Sequence, residues 1–217
     1  MTLLADLPTP ARAALERLLA GNRRFVDGTA QNPHQDVARR AELATGQRPF
    51  AVIFGCSDSR VAAEIVFDQG LGDLFVVRTA GQTVGAEVLG SIEYGVVVLG
   101  AALVVVLGHD GCGAVRAAVE AHDTGDTPPG FLRDLVERLV PEVRAAHARG
   151  ETDVDEIGRA HVLGTADRLV QRSRLLAERV AAGEAAVVGL RYALAEGRAE
   201  IVEPDRRGEP VPSGRRP

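Results

Sequence analysis

The chain has 217 residues, of which 46% are hydrophobic and 25% charged, and its formal net charge is −5. These values are typical of one soluble globular domain with a substantial core. The negative charge argues against a nucleic-acid partner, because phosphate contacts need a basic face. The longest uncharged run, Tyr94 to Gly108, has fifteen residues. It is too short to span a membrane, so we expect no membrane partner.

Two helices are predicted in the N-terminal part of the chain. Apolar residues recur at helical spacing from Thr9 to Val26, with an interruption expected near Gly21-Asn22. A second helix is predicted from Asp36 to Thr45, capped by Asp36 and stopped by Gly46.

Short, continuous apolar runs then alternate with helical segments. The predicted strands are Phe50 to Phe54, Leu74 to Val77, Leu103 to Leu107 and Ala185 to Leu190. The predicted helices are Ala62 to Gln69, Val84 to Leu99, Ala114 to His122 and a longer helical region from Phe131 to Ala182. Continuous valine-rich strands are typical of parallel sheets covered on both faces. The pattern therefore predicts an α/β fold, with a central, mostly parallel sheet of four or five strands and helices on both faces.

The extent of the domain and its cellular compartment are predicted from the composition of the chain ends and the number of cysteines. Residues 1–203 are expected to form a single domain, and residues 204–217, rich in proline and arginine, a mobile tail. The N-terminus shows no secretory signal, and two cysteines are too few for a disulfide framework. We therefore expect a cytoplasmic protein.

The two cysteines and one histidine lie where predicted strands end. Cys56 begins the string Cys-Ser-Asp-Ser-Arg, while His109 and Cys112 lie in the string Gly-His-Asp-Gly-Cys-Gly. Ligands of open α/β sheets bind beyond the carboxyl ends of the strands. Two thiols and one imidazole match a catalytic zinc site with three protein ligands and one open position. The sequence therefore predicts a metal site formed by Cys56, His109 and Cys112.

Asp58 and Arg60 follow the first cysteine directly. The guanidinium of Arg60 could hold the Asp58 carboxylate ionised and oriented. The alternative is a surface ion pair of little consequence. Because the pair adjoins a candidate ligand, we interpret it as support for the metal site.

Simpler interpretations of these residues remain open. Either cysteine could be a small buried apolar residue. A structural zinc site would need a fourth ligand, for which Asp58 is the nearest candidate. Thiol redox chemistry is disfavoured, because the chain has no Cys-x-x-Cys pair. The other histidines are expected on loops or helix surfaces and are not assigned to zinc: His34, His122, His147 and His161.

The two cysteine motifs resemble the signature of the β-class carbonic anhydrases. The similarity covers roughly residues 10 to 200, and the second motif is similar to that of actinobacterial members, with Asp110 after the histidine. Further matching stretches are Gly21 to Phe25, Phe67 to Arg78, Ala80-Gly81, Gly90 to Tyr94 and Val188 to Tyr192.

The resemblance implies a function and a set of site residues. It implies one Zn²⁺ per chain held by Cys56, His109 and Cys112, with Asp58 and Arg60 as a catalytic dyad. The reaction implied is the reversible hydration of carbon dioxide to bicarbonate and a proton by zinc-bound hydroxide. By position in the family, the substrate-binding residues would be Gln47, Phe75, Tyr94 and Gly113.

The resemblance also implies a homodimer or homotetramer. The N-terminal helical arm would pack on a neighbouring subunit, and the substrate pocket would lie at the interface between subunits. A hydrolase of carbon disulfide or carbonyl sulfide on the same fold is the alternative function. A zinc-stabilised interaction domain without catalysis is a second alternative. In family members where bicarbonate regulates a movement of the aspartate onto zinc, a tryptophan near the pocket helps to bind the regulator. This chain has no tryptophan, and Gln47 matches the other subgroup, so the resemblance implies no such movement of Asp58.

Overall fold

The computed structural model describes residues 7–203 and contains one five-stranded sheet. The strands are β1 (Ala51–Cys56), β2 (Leu74–Thr79), β3 (Leu103–His109), β4 (Ala186–Ala193) and β5 (Arg198–Ile201). Their spatial order is β2-β1-β3-β4-β5. The first four strands are parallel, and β5 is an antiparallel edge strand. The predicted fold class is confirmed; the predicted tail, residues 204–217, lies outside the described residues.

Eight α-helices lie within the described part of the chain. They are α1 (Thr9–Val26), α2 (Val37–Glu42), α3 (Ala63–Val66), α4 (Ala86–Glu93), α5 (Gly113–Thr124), α6 (Phe131–His147), α7 (Val154–Arg172) and α8 (Arg174–Ala181). Short 3₁₀ turns cover Leu43–Thr45 and Ala80–Gln82, and a π-helical turn, Tyr94–Val98, continues α4. None of the helices in residues 7–203 is long and apolar enough to cross a membrane.

The central strands are buried on both faces. Every residue of β1 and β3 is buried. Ile53 and Val105 face a core shared with α1 and α3, whereas Val52 and Val104 face a core shared with α4, α7 and α8. Two covered faces explain why these strands are continuous apolar runs rather than alternating ones.

Helix α1 is continuous, so the predicted interruption near Gly21-Asn22 is wrong. Both residues are buried within the helix, where they contact neighbouring segments and do not interrupt it. A Cβ on Gly21 would lie 1.8 Å from the carbonyl oxygen of Phe67. Asn22 donates to the carbonyl of Gly197 and accepts from the amide of Ala199, both at 2.8 Å. These bonds tie α1 to β5 and so determine where the edge strand lies.

The second helix begins as predicted but buries nothing. Asp36 accepts a hydrogen bond from the amide of Arg39 at 2.7 Å, which caps α2. No residue of α2 is buried, whereas α1 packs on the chain's own sheet. The contact of this N-terminal arm with a neighbouring subunit remains a prediction.

The helical region predicted from Phe131 to Ala182 is three helices. The side chain of Asp153 caps α7, and the side chain of Ser173 caps α8. Helix α7 packs against β3 and β4, and its residue Val162 is 1% exposed. This packing brings α7 close to the carboxyl edge of the sheet, where the cysteine motifs lie.

Candidate metal centre

The fold brings the three candidate ligands together at one edge of the sheet. Strands β1 and β3 are parallel neighbours, so Cys56 and His109 end side by side. Cys112 follows at the start of α5. One donor atom from each residue lies within 4.8 Å of the other two. All three residues are buried, with 4–5% exposure, so the predicted cluster exists in the fold.

The orientation of the His109 ring leaves one nitrogen free for a ligand. Its Nδ1 donates to the carbonyl oxygen of Asp110 at 2.8 Å, because a carbonyl can only accept. Its Nε2 is buried and has no hydrogen-bond partner among the described residues. Leaving a buried polar atom unpaired costs about 1–3 kcal/mol. A bare imidazole nitrogen facing two thiols therefore fits a metal ion with nitrogen and sulfur preference, such as zinc.

The two thiols differ in their tendency to ionise. The contact with Cys112 lowers the pKa of Cys56, and the Gly81 amide lowers it further, whereas burial raises it. The pKa of Cys112 is raised, because Cys112 bonds to Cys56 and is itself buried. Ionisation is thus favoured at Cys56 over Cys112, and the thiolate is the form that binds metals.

Asp58 lies beside the three ligands and is held by Arg60. The Arg60 Nε and Nη2 donate to Oδ1 at 2.9 Å and Oδ2 at 2.7 Å, and the Arg60 amide adds a bond of 3.0 Å to Oδ1. These bonds hold the pKa of Asp58 well below its usual range. Oδ2 of Asp58 is 3.9 Å from Nε2 of His109. The carboxylate is therefore ionised and adjacent to the ligand set.

Arg78 is a site residue to which the sequence analysis assigned no role. Its Nε donates to the carbonyl of Cys56 at 2.9 Å, and its Nη2 donates to the carbonyl of Asp58 at 2.6 Å. One guanidinium thus fixes the backbone on both sides of Ser57. The only signal in the sequence was its position at the end of the Phe67 to Arg78 stretch.

The loop that carries His109 and Cys112 is fixed by two carboxylates. The amide of Gly111 donates to Asp155 at 2.8 Å. The amide of Leu194 donates to Asp110, also at 2.8 Å. Gly111 itself has a φ of 59°, a conformation that favours glycine. Asp155 was not predicted, because it lies 44 residues away in sequence from Gly111.

Three of the four predicted substrate-binding residues lie at the opposite end of the sheet. Gln47 precedes β1 and is exposed. Phe75 pairs with Val52 near the amino end of β2, and its ring centroid is 6.0 Å from that of Tyr94. Cys56 ends β1, roughly 13 Å further along the strands at 3.3 Å per residue. Within one chain these residues do not adjoin the ligands, whereas the fourth predicted residue, Gly113, directly follows Cys112.

A second group of candidate metal ligands differs from the first in its surroundings. His122, Asp123 and His147 also bring donor atoms within 4.8 Å of one another. The Asp123 carboxylate lies 3.1 Å from Nδ1 of His122 and 3.6 Å from Nδ1 of His147. Asp123 is half exposed, so this group is a polar cluster near the surface and not a buried centre.

Comparison with known proteins gives the family. The carbonic anhydrase family model matches residues 51–199. Carbonic anhydrase 2 of Mycobacterium tuberculosis is 56% identical over 189 residues, which cover 87% of this chain and 91% of that protein. The carbonic anhydrase of Mycolicibacterium smegmatis is 54% identical over 189 residues, covering 87% and 92%. A tetrameric β-carbonic anhydrase of Sordaria macrospora is similar in structure, with a TM-score of 0.68, 25% identity, and coverage of 88% and 98%.

The chain belongs to the β-class carbonic anhydrases. It is therefore an enzyme, and the predicted resemblance is confirmed. The matched region, residues 51–199, contains the three candidate ligands of this carbonic anhydrase and its Asp58–Arg60 pair. Gln47 lies just before that region.

Proposed function

We propose that this β-class carbonic anhydrase catalyses the zinc-dependent, reversible hydration of carbon dioxide to bicarbonate and a proton. One zinc ion per chain would be held by Cys56, His109 and Cys112. The observation that carries the proposal is the buried, unpaired Nε2 of His109 beside two thiols. When bound there, zinc supplies a Lewis acid that makes hydroxide available near neutral pH.

Asp58 would orient the attacking group rather than take its proton. Arg60 keeps the carboxylate ionised by bonding both oxygens, so Asp58 can only accept a hydrogen bond. Its Oδ2 lies 3.9 Å from Nε2 of His109, so it could accept a hydrogen bond from a hydroxyl group held beside the three ligands. A fixed acceptor on one side directs the reactive lone pair toward the substrate, which reduces the entropy lost on reaching the transition state.

The start of α5 would bind the anionic product. Gly113 is the first residue of the 12-residue helix α5, and a Cβ placed on it would meet nothing within 4 Å. Unpaired amides at a helix N-terminus attract anions. Bicarbonate is an anion, so the Gly113 amide is a suitable donor next to the ligands.

The other side of the pocket, with Gln47 and two aromatic residues, would come from a second copy of the chain. Phe75, its neighbour Tyr94 and Gln47, which precedes β1, lie at the amino end of the strands, too far from Cys56 of the same chain to share its pocket. Tyr94 is 47% exposed, as expected of a residue that another subunit covers. A two-fold dimer that placed these residues over the partner's metal centre would complete two identical pockets.

Stopped-flow hydration of carbon dioxide on protein of known zinc content tests the proposal. Activity should be proportional to zinc, vanish on chelation and return when zinc is added. Cys56→Ala should remove both zinc and activity, whereas Asp58→Asn should remove activity and keep zinc. A zinc-loaded enzyme without activity above background would contradict the proposed reaction.

A further inference from the structure

His161 is a buried histidine close to the metal centre. We expected it on a loop or a helix surface, which is wrong: it is 1% exposed and lies in the middle of α7, with Val162 and Thr165 also buried. A histidine this deeply buried needs a hydrogen-bond partner, because an unpaired polar group in the core is costly. Its partner indicates what it does.

The partner of His161 is the backbone of Gly81. Nε2 of His161 donates to the carbonyl oxygen of Gly81 at 2.8 Å. The hydroxyl of Thr165 lies 3.5 Å from Nδ1, the other ring nitrogen. Burial lowers the pKa of His161 to about 4. The ring is therefore neutral at physiological pH, with its proton on the nitrogen that faces the carbonyl.

Gly81 contacts the metal centre through its other polar group. Its amide donates to Sγ of Cys56 at 3.3 Å. The residue has a φ of 62°, and a Cβ there would lie 2.7 Å from Cβ of Ala114. Gln82, which follows it, also has a positive φ of 41°. A positive φ is unfavourable for a residue with a side chain, so the surroundings must hold Gln82 in place.

Hydrogen bonds from several neighbouring segments hold the turn around Gly81 in place. The hydroxyl of Thr79 donates to the carbonyl of Thr83 at 3.0 Å. The amide of Ser57 donates to the carbonyl of Thr79 at 3.0 Å, joining the turn to the Cys56 loop. His161, on α7, adds a hydrogen bond to the Gly81 carbonyl. The carbonyl of Gly81 accepts a hydrogen bond from α7, and its amide donates one to Cys56. Gly81 therefore connects α7 to the sulfur of Cys56.

We propose that His161 is a positioning residue of the metal centre, which holds the Gly81 carbonyl so that the Gly81 amide stays directed at Sγ of Cys56. This inference rests on the proposed function only in assuming that Cys56 binds zinc. A hydrogen bond to a thiolate ligand stabilises its negative charge and fixes its direction toward the metal. Loss of such a bond typically weakens metal binding by about 10- to 100-fold.

Three variants separate the hydrogen bond from the packing of the side chain. His161→Gln keeps an N–H donor near the position of Nε2. His161→Leu keeps the bulk but removes the donor. His161→Asn keeps an amide that is too short to reach the carbonyl. His34→Asn, at a histidine that contacts Asp73 and lies outside both groups of candidate metal ligands, is the control for the loss of a histidine elsewhere.

Zinc release to an excess of chelator is the first measurement, made on the zinc-loaded full chain. We expect release at least about tenfold faster for His161→Leu and His161→Asn. Release from His161→Gln and His34→Asn should stay within about twofold of the unsubstituted protein. If His161→Leu does not fold, the zinc-release rates of His161→Asn and His161→Gln are compared instead. Equal release rates for Asn and Gln would overturn the inference.

Cobalt substitution gives a second measurement that a purely structural role would not change. The thiolate-to-cobalt charge-transfer band should move to lower energy in His161→Leu or His161→Asn, because the sulfur loses a hydrogen bond. A lower melting temperature with an unchanged band and release rate would overturn the inference. An unsubstituted protein that binds no zinc would instead overturn the proposed function. The two failures are thus distinguishable.

Discussion

Arg60 bonds both carboxylate oxygens of Asp58, with Nε 2.9 Å from Oδ1 and Nη2 2.7 Å from Oδ2. The Arg60 side chain is 58% exposed and that of Asp58 18%. An exposed ion pair contributes little to stability. The paired geometry instead fixes the direction of one carboxylate beside His109.

Replacing the carboxylate should separate metal binding from turnover. Asp58→Asn preserves shape but removes the charge and one acceptor, so the attacking group loses its orientation and we expect kcat to fall by about 100-fold or more. Zinc content should stay at one per chain, because Asp58 is outside the ligand set. Stopped-flow rates and metal analysis on the same sample check both parts. A variant that loses its zinc would show that Asp58 acts as a ligand.

Glycine at position 81 should be far less replaceable than a glycine of similar backbone conformation elsewhere. In Gly81→Ala, a Cβ would meet that of Ala114 at 2.7 Å and displace the amide from Cys56. Gly125 has a φ of 79° and nothing within 4 Å of its Cβ position, so Gly125→Ala is the matched control. We expect the control to lose about 1 kcal/mol of unfolding free energy.

The same comparison distinguishes strain from a specific effect on the centre. Gly81→Ala should lose about 2–4 kcal/mol, because overpacking adds to the backbone strain. It should also release zinc faster than the control does. Denaturant unfolding and chelator competition measure the two effects. Equal losses of unfolding free energy for the two variants would contradict the prediction, because they would mean that contact with Ala114 does not destabilise Gly81→Ala.

Stability should fall as pH is lowered from 6.5 to 4 because His161 is buried neutral. Its pKa is about 4 in the folded protein, against an ordinary histidine value of 6.5. Between these values the unfolded chain binds more protons, so unfolding free energy rises with pH. The stabilisation is complete above pH 6.5 and is lost on acidification, by about 3 kcal/mol in total. The charge of Arg168 lowers this pKa further, whereas that of Cys56 raises it.

His161→Gln provides the baseline for this pH effect. Glutamine does not titrate, so subtracting its unfolding free energies removes the contributions of the metal ligands and the carboxylates. The difference between the two proteins should change with pH between 6.5 and 4 and be level above 6.5. A level difference throughout that range would show that His161 is not buried as a neutral ring in solution.

Two inactive variants should restore each other's activity if the pocket is shared between chains. Gln47→Ala would lack the substrate contact, and Cys56→Ala would lack the metal. A mixed dimer would contain one complete pocket, with Cys56 from one chain and Gln47 from the other. Random reassociation of equal amounts should give about a quarter of the unsubstituted activity, as two-fold symmetry requires. Persistent inactivity in mixed dimers verified by mass would place both residues in one subunit's pocket.

Much of the fold was predictable because burial leaves a direct pattern in sequence. The valine-rich runs of β1 and β3 are apolar throughout, since both faces of these strands are covered. The antiparallel β5, Arg198–Ile201, was not predicted as a separate strand. It is short and alternates exposed and buried residues at the sheet edge. The break predicted at Gly21 failed because a glycine marks a close approach as well as a turn.

The candidate ligands were predictable from sequence because two thiols and one imidazole that follow buried strands match a zinc site with three protein ligands. Cys56, His109 and Cys112, with the Asp58–Arg60 pair, follow from motif and family resemblance alone. Tertiary structure decided which groups support them. Arg78, Asp155 and His161 come from distant segments, and each bonds a backbone atom of the ligand loops or of the turn beside them. A backbone partner carries no side-chain signature, so only the folded chain shows which residues determine the geometry of the centre.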